Sequence, residues 1–249
     1  MSGRFDALKD AWERSLQVLR APRVVLGVYG SDEARQIHRS FTAPHPRFRL
    51  VPSKRWGVAL LELPESLDAY LAGHSRKVVR QKRRLAGKHG FRYAMVSPDD
   101  YLDDILAVNR STPSRQGRPM PDSYTDRSLV SRTFEGRPRI PAILGSDGRL
   151  RAYAIVIPIG DAAVVSTILG HADDLEDGLM YLLVSEIVGA CIAARVASGH
   201  PGWLMYDTFW GAAPGLAYFK ARLGFRPCTV SWNWRGEPDA RPVERSPWP

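Results

Sequence analysis

Three stretches concentrate side chains capable of chemistry. The densest is Ser75–Lys88, SRKVVRQKRRLAGK, which holds Arg76, Lys77, Arg80, Lys82, Arg83, Arg84 and Lys88, with no acid between Asp68 and Asp99. On a helix Arg76, Arg80, Arg83 and Arg84 recur at i, i+4 and i+7 and share a side, and no carboxylate at i+4 offsets their repulsion. Such a helix suits the phosphates of a nucleic acid; the plainer reading is a solvated face neutralised by acids elsewhere. The second stretch is Met205–Pro227, MYDTFWGAAPGLAYFKARLGFRP. A strand ends near Asp207, a glycine-bearing loop follows, and a short helix carries Tyr218, Phe219, Lys220 and Arg222. Ligands of open α/β sheets bind outside the carboxyl ends of strands. An ammonium flanked there by aromatic and apolar residues is expected to be partly desolvated and able to stabilise an oxyanion; the alternative is a lysine stem lying along the helix with its head in water. Asp207 could orient or deprotonate an amine, and Tyr206, Trp210, Phe219 and Tyr218 could line a pocket or belong to the core. The third stretch is the polar loop Ser111–Tyr124, where Arg115 and Arg118 flank Gly117 with Tyr124 behind. Loops this long are commonly functional in compact domains, against the alternative of a simple connector.

Other chemistries find little support. Asp173, Asp174, Glu176 and Asp177 crowd the start of an expected helix, where favourable charge at a helix N-terminus accounts for them without a metal. The six histidines are scattered, and Cys191 and Cys228 form no CxxC pair, so both read as buried apolar fillers in a reducing compartment. GxSxG, a Walker A loop and a strand-following GxGxxG are absent. No metal or resident cofactor is expected.

The elements that must position these residues follow from patterning. Residues 4–20 read as an amphipathic helix through Phe5, Leu8, Trp12, Leu16 and Leu19. Strands are expected at Arg23–Tyr29, Trp56–Leu63 and Phe91–Val96, and one helical region runs from Pro64 to about Lys88. A helix follows to about Asn109, and another covers Asp126–Phe134. Arg139–Gly145, Arg149–Ile157 and Ala162–Leu169 form an antiparallel meander. Asp177 is expected to cap a long helix, Gly178–Ser198. Trp203–Asp207, Pro214–Leu223 and Pro227–Trp234 read as strand, helix and strand. The expected fold is α/β, a mixed sheet flanked by helices, with 1–55 a partial N-terminal lobe, 56–234 the main domain and 235–249 a loose tail.

Length and composition agree. The 249 residues, 44% hydrophobic and 24% charged, suit one or two globular domains and exclude a disordered chain, a collagen or a coiled-coil rod. Thirty-five Lys and Arg against 26 Asp and Glu give a net charge of +9, which favours partners bearing phosphate. The N-terminus has no signal-peptide pattern and no unbroken run of about 18 apolar residues occurs, so a cytoplasmic location without a membrane span is expected.

The series Tyr206-Asp207, a glycine loop, then Gly215-Leu216-x-x-Phe219-Lys220-x-x-x-Gly224-Phe225 resembles the Fem family of peptidyltransferases and their GNAT-fold relatives. Gly178-Leu179-Met180-Tyr181-Leu182-Leu183 is similar to the start of that family's long helix, and Leu67-x-x-Tyr70 with Ser75-Arg76-Lys77 is similar to its basic helix. The likeness covers about 56–234. It implies a GNAT-like fold and transfer of an acyl group to an amine, with aminoacyl-tRNA as donor in Fem proteins and acyl-CoA in other relatives. In the Fem motif the lysine after the phenylalanine stabilises charge on the reacting ester, and Lys220 matches it. Fem proteins usually hold two GNAT-like units and a coiled-coil arm; this sequence accommodates one unit and a fragment. CoA-dependent relatives usually carry Arg/Gln-x-x-Gly-x-Gly/Ala after the fourth strand, its amides cradling a pyrophosphate. Here Leu169–Gly178 is acidic, which disfavours a diphosphate.

The resulting expectation is an aminoacyltransferase joining an aminoacyl group from tRNA to an amine of a small molecule or peptide. Arg76, Lys77, Arg80, Lys82, Arg83, Arg84 and Lys88 would face the tRNA, and Lys220 and Asp207 would serve the reaction. Tyr206, Trp210, Tyr218, Phe219, Arg115, Arg118 and Tyr124 would surround the substrate. An acyl-CoA N-acyltransferase and a non-catalytic RNA-binding module are the alternatives.

Overall fold

The computed structural model describes residues 20–46, 49, 51–115, 118–210 and 212–236, without the side chains of Arg115 and Arg118. The amphipathic segment 4–19, Gly117 and residues 237–249 of the expected tail lie outside the described residues.

In chain order the elements are β1 (Arg23–Val28), α1 (Asp32–Thr42), β2 (Val58–Glu62), α2 (Leu67–Leu71), α3 (Lys77–Lys88), β3 (Arg92–Val96), α4 (Leu102–Arg110), β4 (Ser114–Arg115), β5 (Arg118–Pro119), α5 (Asp122–Thr125), α6 (Arg127–Thr133), β6 (Ile140–Leu144), β7 (Leu150–Pro158), β8 (Ala162–Gly170), α7 (Leu179–Ser198), β9 (Trp203–Thr208), α8 (Pro214–Leu223) and β10 (Arg226–Trp234). Eight strands form one sheet in the order β1-β10-β2-β9-β8-β7-β6-β3. The meander β6-β7-β8 is antiparallel, whereas β8–β9 and β1–β10 are parallel. Residues 23–55 thus contribute β1 and α1 to the margin of the same sheet.

Both faces bury apolar side chains, as a sheet covered by helices requires. On one face Leu26, Val58, Leu60, Ile105, Val130, Tyr153 and Val230 pack beneath α1, α4 and α6. On the other, Leu61, Tyr70, Val79, Ala86, Leu204 and Leu223 pack with α2, α3, α7 and α8. The central element of that second face is α7, where Leu179, Leu183, Ile187 and Cys191 are fully buried, each large side chain worth about 2 kcal/mol of burial. An 18-residue stretch of α7 has mean hydropathy 1.8, so the helix is long and apolar enough to cross a membrane by length and composition, although over half of that stretch is buried in the fold. A scan for unbroken apolar runs passes over it because Glu186 and Arg195 interrupt the series.

Three local expectations change. The helical region before Lys88 breaks at Ala72-Gly73, where Gly73 takes a φ of +79°, and resumes through a 3-10 turn at His74–Arg76. Helix α1, not foreseen, is announced by Ser31, whose side chain accepts the Ala34 amide 3.3 Å away, and by Asp32 and Glu33 in its first turn. Helix α7 is preceded by Gly178 at φ +87°, with no side-chain cap, rather than capped by Asp177. A Cβ on Gly178 would run into the Lys82 carbonyl, so this left-handed glycine lets α3 and α7 approach.

Candidate functional site

Strands β8 and β9 pair over three residue couples, Ala162↔Trp203, Ala163↔Leu204 and Val164↔Met205. Beyond these the two strands no longer pair with each other, β8 running on to Gly170 and β9 to Thr208, and ligands of parallel strands bind at such carboxyl ends. The closed end is fastened by Asp161. Its carbonyl accepts Gly202 N at 2.9 Å, its amide donates to Gly27 O at 3.0 Å and its carboxylate accepts Gly27 N at 2.7 Å. Along the open edge Ser166 is the extra residue of a β-bulge against β7, lying between the pairs Ile155↔Thr167 and Val156↔Val165, and it is exposed in the middle of the sheet. Bulges re-aim backbone groups and recur beside active sites. The sequence offered no signal for it.

Lys220 lies at the carboxyl end of β9. It is 1% exposed, its Nζ donates to the Thr208 carbonyl at 2.8 Å, and it sits 4.5 Å from the centre of the Tyr206 ring. Desolvation pushes its pKa down from 10.5 to about 8, with the nearby Lys54 ammonium adding to the fall and Asp207 opposing it. The ammonium is therefore buried, held by a backbone carbonyl and a ring face, and not extended along the helix surface. Local sequence explains its position. Pro214 starts α8 with a fixed φ, and Gly224, at φ +92°, ends it so that Phe225 N returns to Lys220 O at 3.0 Å.

Asp207 adopts φ +53°, rare for a side-chain-bearing residue, which turns the chain out of β9. Its carboxylate is ion-paired with Lys54 and half-exposed. Lys54 was not singled out by sequence, and only its distance in the chain hid it. Trp210 lies flat on Gly57, where any Cβ would meet its ring. Tyr206 meets Phe225 edge-on, with ring centres 5.8 Å apart, and Phe219 docks α8 on α7 through Tyr181 at 4.8 Å. Burial pushes the Tyr181 hydroxyl's pKa upward. Tyr218 is corrected as a pocket residue: it is 54% exposed with the Arg222 guanidinium over its ring at 4.8 Å. Two positions on a helix differ by about 200°, so Tyr218 and Lys220 point opposite ways.

The basic helix also needs correction. Arg80 donates to the carbonyls of Leu71 and Gly73, closing the end of α2. Arg83 holds Ser185 and Glu186 of α7, the latter at 2.6 Å. Lys82 donates to Glu176 O at 2.7 Å. Arg76 lies over the Tyr70 ring at 5.2 Å and against Gly224, while the Tyr70 hydroxyl, its pKa raised to about 12 by burial, donates to Leu223 O at 2.9 Å. Of the four arginines that share a side, Arg76, Arg80 and Arg83 are half-buried fastening groups and Arg84 is exposed. The exposed stripe is Lys77, Gln81, Arg84 and Lys88, at i, i+4, i+7 and i+11. Through Arg76 and Gly224 the basic helix adjoins the helix carrying Lys220, on one face of the sheet.

The loop Ser111–Tyr124 is not brought to this place. Tyr124 and Met120 pack against the core on the opposite face, Asn109 Nδ2 donates to Tyr124 O at 2.8 Å, and the backbones of Arg115 and Arg118 form a two-residue ladder. Of the acidic turn, Asp173 is largely exposed, Asp174 faces Arg151 at 3.7 Å and Asp177 faces His89 at 3.6 Å. Among the described residues no three His, Cys, Asp or Glu side chains gather as metal ligands.

No family model matches the chain, and no curated protein matches it by sequence. Among solved structures it is similar to FemX at 10% identity and a TM-score of 0.53, covering 69% of this chain and 59% of that one. Others are L-PGS from Bacillus licheniformis (12%, TM-score 0.46, 70% and 59%) and a GCN5-related N-acetyltransferase from Kribbella flavida (14%, TM-score 0.38, 70% and 54%). The chain spans under two thirds of the length of each. Its fold is the GNAT-like mixed α/β sheet that the sequence resemblance implied, shared with FemX.

Proposed function

We propose that this chain is a GNAT-fold acyltransferase that moves an aminoacyl group from aminoacyl-tRNA onto an amine. The observation that carries the reading is the desolvated Lys220 ammonium held on the carbonyl of Thr208, the last residue of β9. The amine lone pair attacks the ester carbonyl carbon. A C–N bond forms, the C–O bond to the ribose breaks, the ribose oxygen takes up a proton and the amine gives one up. Negative charge gathers on the carbonyl oxygen at the tetrahedral stage, where a fixed cation in a water-poor site is most effective. Asp207, held by Lys54, acts on the field at Lys220 and on the position of the amine. The exposed stripe Lys77–Lys88 meets the tRNA backbone, a partner suited to a chain of net charge +9. No resident cofactor is needed, and the setting is the cytoplasm.

The second reading, an acyl-CoA donor, draws support from the open β8–β9 ladder, which can receive an extended acyl carrier. A donor screen with purified protein, read by mass spectrometry, decides between them. Amide product that requires aminoacyl-tRNA and vanishes with ribonuclease supports the first. Full activity after ribonuclease with acyl-CoA supplied overturns it. Lys220→Met should abolish turnover in either case while RNA binding persists.

A further inference from the structure

At the β1 margin no described residue covers the sheet face that α3, α7 and α8 cover elsewhere, and a groove of about 420 Å³ lies on it, lined by Arg23, Val25, Arg55, Trp56, Thr229 and Ser231. The pairs Arg23↔Thr229 and Val25↔Ser231 put four of these on one side of β1 and β10. Segment 54–56 is fixed along the other edge of β10, where Val230 N donates to Arg55 O at 2.7 Å and Trp232 Nε1 to Lys54 O at 2.6 Å. Arg23 and Arg55 therefore flank Thr229 from opposite sides, about 10 Å apart by two interstrand spacings, a span that two arginine side chains can close over one anion. Among the described residues neither guanidinium has an acid or hydrogen-bond partner, and no acid lines the groove. Val25 and Trp56 are 61% and 45% exposed and give the groove an apolar wall.

The groove is tied through its backbone to the residues around Lys220. Trp56 precedes Gly57, which carries the Trp210 ring and whose carbonyl accepts Phe209 N. Val58 then pairs with Thr208, the residue holding Lys220, and Lys54 holds Asp207. One short segment thus joins Arg55 to the residues around Lys220. We propose that this groove binds the acceptor, and that the acceptor is an amine carrying a carboxylate or phosphate on an apolar body. The anion seats between Arg23 and Arg55 with the Thr229 hydroxyl, the body lies on Trp56 and Val25, and the amine reaches toward Lys220. Guanidinium forks match both anions. Calling the ligand an acceptor rests on the acyltransfer reading; the anion site itself does not.

The test uses the full chain with phenyl phosphate, benzoate and neutral benzyl alcohol as probes, followed by the indole N–H signal of Trp56, assigned with Trp56→Phe. Saturable shifts with Kd below ~1 mM for one or both anions, no saturation by the alcohol, and at least tenfold weaker binding in Arg23→Ala/Arg55→Ala support the site. Tighter phenyl phosphate identifies a phosphate-bearing acceptor, and tighter benzoate a carboxylate-bearing one. Equal response to the alcohol, or unchanged binding in the double variant, overturns the proposal. Both arginines are exposed and have no partner among the described residues, so folding is not at stake; Arg23→Lys/Arg55→Lys should restore part of the binding. Anion binding without any acyl transfer would refute the proposed function and leave this site standing. Transfer whose KM for acidic amines is indifferent to both arginines would do the reverse.

Discussion

Lys220→Met tests the desolvated ammonium directly, because stability and activity should move in opposite directions. The lysine's pKa falls from 10.5 to about 8 on folding, which corresponds to about 3 kcal/mol against the folded state wherever the group must be charged. Removing the side chain also orphans the Thr208 carbonyl, which costs about 1–3 kcal/mol. At pH 7 the variant should therefore be as stable as the parent or up to about 2 kcal/mol more stable. The sign follows from proton binding. Between pH 8 and 10.5 the unfolded parent holds the proton that the folded parent has lost, so parental stability rises with pH across that window. The variant's lead should shrink by about 3 kcal/mol from pH 7 to above 10.5 and end as a deficit. Urea unfolding of both proteins across that range measures this, and other titrating groups cancel in the difference. A difference that stays flat with pH, or a variant several kcal/mol less stable at pH 7, refutes the reasoning. Activity should be lost throughout.

If the charged ammonium is the working form, parental turnover should fall as pH rises through about 8. Asp207→Asn removes the anion that favours the charged form, so that limb should move to lower pH; an unchanged limb with lost turnover would instead make Asp207 a proton acceptor. Charge reversal at Lys77, Arg84 and Lys88 should weaken RNA binding and lower its salt slope by roughly one per contact removed, with stability within about 0.5 kcal/mol of the parent. Arg83→Ala, which strips Glu186 and Ser185 of their partner, should cost about 1–3 kcal/mol in urea unfolding. Gly178→Ala should destabilise by more than the 1–2 kcal/mol typical of left-handed strain, because its methyl group also meets the Lys82 carbonyl.

Sequence periodicity located most elements from Trp56 onward, because strands buried on one or both faces and helices ended by Gly90, Gly199 and Gly224 leave local signals. It could not give strand order, since the meeting of β2 with both β9 and β10 depends on residues about 140–170 positions apart. Lys220 was legible because a lysine between Phe219 and Ala221 on a short helix is chemically out of place. The charge pattern of Ser75–Lys88 misled in one respect. Acids elsewhere and bare carbonyls take Arg80, Lys82 and Arg83, and carbonyls leave no trace in a sequence. The Arg23–Arg55 groove stayed hidden for the same reason, being assembled from three separate segments of chain.

The brief pairing of β8 with β9 leaves two runs of backbone inside the fold whose amide and carbonyl groups find no mate in each other. A strand edge without a ladder partner is a template for another extended chain. A guest of extended form, bearing amides of its own, can enter as a temporary extra strand and settle the account on both sides. Because Asp161 rivets the narrow end, such a guest can travel only as far as that rivet, and its depth of entry becomes a ruler that sets where its reactive end halts.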